Sequence, residues 1–184
     1  GPRSGFAVRV YLPATLPLLR HALADGHCRP VGGIGFAVTP GLRVEYDGAD
    51  DEDLEYLALH DAALASLRLI ATSGADPVRV VLAADTSGEA VDLAVAELAD
   101  LDRAAVRLTG AVPWSAVAAV HLDGGDAADA VTAAAAVIDA ADLDDPDAAV
   151  TVGNAEDIEL AWYAPSEISY LLSELGREDG PDGG

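Results

Sequence analysis

At 184 residues the chain can form one domain that buries about 70% of its unfolded surface. Apolar residues make up 51% of it, which supplies a core and excludes global disorder. Acidic residues number 32 against ten arginines and no lysine, and the net charge of −22 repels phosphate backbones and anionic headgroups. Nucleic-acid and membrane-surface binding are therefore disfavoured, and a basic protein partner fits.

Residues 8–12, rich in β-branched and aromatic side chains, read as a buried strand. Thr15 can cap the helix that follows, with Pro17 in its first turn and Leu16, Leu19 and Leu23 on its inner face. Asp25-Gly26 ends it, and residues 26–35 read as a Gly/Pro loop holding Cys28. A second strand covers 35–39 and stops at Pro40-Gly41. The longest helix is expected over 52–71, with acidic residues at its N-terminus and Leu57, His60, Leu64, Leu67 and Ala71 on one face.

The apolar run 78–84 reads as a strand covered on both faces. Residues 86–101 fit neither a clear helix nor a clear strand. Strands at 105–109 and 119–122 follow, with a helical turn near Trp114 between them. An Ala-rich helix over 126–141 presents Val131, Ala134 and Ile138 as a flat face suited to close packing or self-assembly. A turn at 143–147, a strand at 158–163 and a helix at 166–175 complete the pattern.

This alternation predicts an α+β domain over 8–175 with α/β-like order, a mixed sheet covered by helices and flexible ends at 1–7 and 176–184. Tyr11-x-Pro13 and Tyr163-x-Pro165 recur at strand-to-helix junctions, suggesting two pseudo-repeated βαβαβ halves at 8–85 and 104–163.

Lone Cys28 excludes an intramolecular disulfide and fits a reducing compartment. No apolar run reaches the ~18 residues of a membrane span. No secretory signal is visible, and Gly1-Pro2 without an initiator methionine reads as a protease-cleavage scar. A cytoplasmic location is the expectation.

Catalytic motifs are weak. Asp85-Thr86-Ser87-Gly88-Glu89 is similar to the Asp-x-Ser-x-Ser metal loop of von Willebrand A-type domains, but Glu89 replaces the second serine and a solvated turn accounts for it. His27-Cys28 lacks the further ligands a zinc site needs. His60 beside Asp61, like His21 and His121, reads more simply as a hydrogen-bonded structural histidine than as a base. Asp-x-Asp pairs at 51, 100 and 142 are expected by chance among 22 aspartates. Gly32-Gly33-Ile34-Gly35 precedes a strand and lacks the third glycine of a dinucleotide loop, so no cofactor is implied.

Trp162 and Tyr163 are two of only nine aromatics, and strand alternation sends them to opposite faces. The candidate ligand- or partner-binding residues are Tyr11, Thr15, His60, Asp85, Trp162, Tyr163 and Ser166.

Four segments, 8–16, 36–40, 65–69 and 159–165, resemble a family of small acidic actinobacterial proteins of unknown function. The resemblance spans about residues 8–175 and implies no catalytic residues. The leading expectation is a non-enzymatic interaction or regulatory module that binds a basic protein. The alternative is a small-molecule- or metal-dependent enzyme whose site gathers Thr15, Asp85 and Ser166 at the strand C-termini.

Overall fold

The computed structural model describes residues 7–92 and 103–179. Most of the unassigned stretch at 86–101, the pair at Asp100 and Asp102, and the ends at 1–6 and 180–184 lie wholly or partly outside the described residues.

The elements run β1 (Ala7–Ala14), α1 (Leu16–Asp25), β2 (His27–Cys28), β3 (Ile34–Phe36), α2 (Pro40–Glu45), α3 (Asp51–Ser73), β4 (Val80–Ser87) and β5 (Val91–Asp92). Then come β6 (Ala105–Leu108), β7 (Val112–Pro113), β8 (Val117–Leu122), α4 (Ala128–Asp142), α5 (Pro146–Glu156), β9 (Ala161–Tyr163) and α6 (Ile168–Asp179).

The fold is α+β. Seven strands form one sheet in the order β5-β6-β3-β1-β4-β8-β9, and β2 pairs with β7 in a small second sheet. Each pairing in both sheets is antiparallel, where the alternation of elements suggests a mixed sheet. The helices connect strands without making parallel crossovers. Nor does the strand order divide into two equivalent halves: β6 and β8 are separated by β3, β1 and β4.

Strand alternation sorts the core. Val10, Leu12, Ala14, Val80, Leu82, Ala84, Val120 and Leu122 face one way and pack with Leu16 and Leu19 of α1 and Ile168 and Leu172 of α6. Leu12 and Leu82 sit opposite each other and are fully buried, each contributing about 1.5–3 kcal/mol by leaving water. Tyr11, Val81, Ala83 and Ala119 face the other way, toward Leu42 of α2 and Leu54, Ala58 and Ala62 of α3.

The buried face of α3 is shifted from the expected one and shares Leu67 with it. Leu54, Ala58, Ala62, Ala63, Ser66, Leu67 and Ile70 are buried, whereas Leu57, His60 and Leu64 are half-buried and Ala71 is exposed. Small residues at 58, 62 and 66 let the helix approach the sheet closely. Beyond them, Leu67 and Ile70 pack with Val131, Ala134 and Ile138 of α4 and Val152 of α5. The flat face of the Ala-rich helix is thus used inside the chain.

Local signals explain the helix ends. Thr15 accepts from the Leu18 N–H, Thr39 from Leu42 and Asp50 from Asp53, and Gly26 and Gly74 take left-handed C-cap conformations. Two helices that the sequence reading leaves out, α2 and α5, start at Thr39-Pro40 and Asp145-Pro146, each a cap followed by an N-terminal proline. Cys28 lies in β2 rather than a loop and is buried, which pushes its thiol pKa up. The last helix runs on to Asp179, past the expected end at 175.

Candidate functional site

The sheet ends at β9, and a groove opens where this edge meets α3 and the end of α5. Trp162 pairs in register with His121 of β8, so both side chains point to the α3 side of the sheet. From α3, Tyr56 and His60 lie one turn apart and stack, ring centroids 6.3 Å apart and planes inclined by 22°. Glu156, the last residue of α5, places Oε2 3.6 Å from His60 Nε2, an ion pair when the imidazole is protonated. Residues 158–160 complete the wall of a cavity of about 200 Å³.

A buried ion pair supports this wall. Arg79 reaches Asp123 through Nε to Oδ2 at 2.9 Å and Nη2 to Oδ1 at 2.7 Å, and Nη2 also donates to the Ile158 carbonyl at 2.9 Å. The segment entering β9 is thereby tied to the start of β4 and the end of β8. Burial, with a smaller contribution from the positive charge of Arg9, lowers the His121 pKa below its ordinary value.

Exposure separates the groove from ordinary core. Trp162 is 61% exposed and Tyr56 50% exposed, and both line it. Glu156, whose carboxylate lies beside His60, and exposed Glu159 are also among the lining residues. Two exposed aromatic residues and two acidic residues around one cavity match the chemistry of a cationic group.

Of the residues singled out in the sequence, the groove unites His60 and Trp162. Tyr163 points to the other face and packs against the α1 and α6 core. Tyr11 is buried against α3, where burial and then the charge of Glu55 push its phenol pKa up against the opposing effect of Arg9. Thr15 is a buried helix cap.

Asp85 accepts from Arg9 at 2.6 and 3.1 Å, and Ser166 is exposed in the turn before α6. Antiparallel pairing puts Thr15 at one end of the sheet and Asp85 and Ser166 at the other. The three do not meet in one crevice.

Sequence reasoning missed Tyr56, Glu156 and the Arg79–Asp123 pair as parts of a site. Tyr56 and His60 carried a usable signal in their i, i+4 spacing. Glu156 carried none, because its helix was not recognised.

Comparison with known proteins then places the chain. A family profile described as a family of unknown function, DUF6912, matches residues 8–172. The chain belongs to this family. No curated protein and no solved structure matches it. The DUF6912 match spans β1 to α6 and so includes all of the groove. Among the described residues of this DUF6912 chain, no group of three or more His, Cys, Asp or Glu side chains could hold a metal ion. No helix among them is long and apolar enough to cross a membrane.

Proposed function

We propose that this chain is a binding module whose groove beside β9 receives a basic segment of a protein partner. The observation that carries the reading is the pairing of exposed Trp162 and Tyr56 with Glu156 and Glu159 around one cavity. An arginine or lysine entering there stacks on the aromatic rings and meets carboxylates. The net charge of −22 draws such a partner in and discourages polyanions.

The enzyme reading has less support. His60 and Glu156 form a base with an acidic neighbour, but no nucleophile is hydrogen-bonded to either among the described residues, and the strand-end residues are split between two ends of the sheet.

A random peptide library selected against the wild-type chain and the Trp162→Ala variant tests the proposal. Sequences rich in arginine or lysine should be enriched by the wild type, and the variant should bind them about thirtyfold or more weakly, as at an aromatic hot spot. Enrichment without basic residues, or binding indifferent to Trp162, would overturn it.

A further inference from the structure

The groove lies beside β9, the edge strand of the sheet among the described residues. β9 pairs with β8 on one side, and among the described residues no strand pairs with the other. Ala161 and Trp162 of this edge are exposed. An edge strand presents backbone N–H and C=O groups to any extended segment that lies alongside, and burial of those groups demands such a partner.

We infer that the basic segment binds as an added β-strand along β9, with alternate side chains entering the groove. This rests on the groove reading above and specifies how the partner is held. Register follows from the pleat. Trp162 and His121 share the groove face, so the incoming residue opposite Trp162 also points there. Its two neighbours, opposite Ala161 and Tyr163, point to the other face, where Tyr163 packs on the core. The segment therefore carries a basic residue opposite Trp162, flanked by residues of apolar or small character.

Charge selects this occupant over a second copy of the chain. Pairing two β9 edges would join two molecules that each carry a net charge of −22, and Glu159 stands just before the strand. A basic segment meets attraction at the same place. The short edge, three residues long, limits unspecific pairing and leaves the side-chain contacts in the groove to set selectivity.

The probe is an end-blocked heptapeptide of alternating arginine and valine, measured by calorimetry against the full chain. Two analogues carry N-methyl groups on alternate amides, one for each set of backbone N–H groups. The parent should bind, one analogue should lose tenfold or more in affinity, and the other should bind like the parent. Amide exchange at residues 161–163 should slow on binding. Trp162→Ala, at an exposed position, should fold normally and lose the same binding.

If both analogues bind as the parent does while Trp162→Ala still abolishes binding, strand addition is wrong and the groove reading stands. Strand addition is equally wrong if the heptapeptide fails to bind but library-selected basic sequences bind as helices. If neither the peptide nor any basic sequence binds, both readings fall. A stable dimer by sedimentation, separated by Trp162→Ala, assigns the edge to a second copy and overturns the basic partner.

Discussion

Arg79 and Asp123 form an ion pair sealed from solvent, their side chains 3% and 0% exposed. The Asp123 Oδ2 also accepts the Arg79 backbone N–H at 2.8 Å, so one carboxylate satisfies three donors from a single residue. Two charges out of water are tolerated because their geometry is bidentate and hydrogen-bonded throughout. Removing one partner leaves the other buried and uncompensated. Arg79→Ala and Asp123→Ala should each cost about 3–5 kcal/mol in urea denaturation. Arg79→Met combined with Asp123→Leu should cost less than either single change. Equal and additive costs would show that the pair does not act as a unit.

Ser66 supports a second join. Its hydroxyl donates to the Ala14 carbonyl at 2.7 Å and accepts the Val80 N–H at 3.0 Å, linking α3 to the end of β1 and the start of β4. The residue is fully buried. Ser66→Ala therefore leaves two backbone groups without this partner in a place water does not reach. The expected loss is about 1–3 kcal/mol, read as a lower denaturation midpoint with an unchanged slope.

Much of the fold was legible because local signals agreed with the tertiary structure. The apolar run at 78–84 became a central strand, and the caps at Thr15 and Gly26 bounded α1 as expected. Strand alternation correctly sent Trp162 and Tyr163 to opposite faces. Strand direction was not legible, since apolar strands separated by helices read alike whether they pair parallel or antiparallel. The buried face of α3 misled for a related reason: periodicity marks where large side chains lie, but close packing to the sheet selected Ala58, Ala62 and Ser66. The groove was half legible. His60 and Trp162 were binding candidates and His121 was read as structural, and the other lining residues come from elements that meet only in three dimensions.

Gly35, in the middle of β3, tests how tightly the sheet and the α1 side of the core are packed. A Cβ there would lie 2.8 Å from Leu108 Cδ1 and 3.0 Å from Leu12 Cδ2. Leu12 is fully buried, so it has little room to move. Gly35→Ala should destabilise the chain by about 1–3 kcal/mol through overpacking. The additional variant Leu108→Val should recover part of that loss, because it removes the closer of the two contacts. A neutral Gly35→Ala would mean that both leucines yield freely.

His121 makes the stability of the fold depend on pH. Its folded-state pKa lies below the ordinary 6.5, because burial penalises the imidazolium and Arg9 repels it. As pH falls, the unfolded chain takes up this proton first, which favours unfolding. The contribution is therefore fully present above pH 6.5, is lost as pH falls from there toward the folded pKa, and levels off below it. The slope from one such group is at most about 1.4 kcal/mol per pH unit. Asp142, held low by its hydrogen bonds from Arg68, acts in a separate and more acidic window, where its stabilising effect disappears on protonation. The Arg68–Asp142 pair is substantially exposed, so its loss should be small. Denaturation from about pH 7.5 to about pH 5 should thus show falling stability in the wild type and a flatter profile in His121→Leu. If His121→Leu keeps the wild-type slope, the buried imidazole of His121 is not the source of the acid sensitivity.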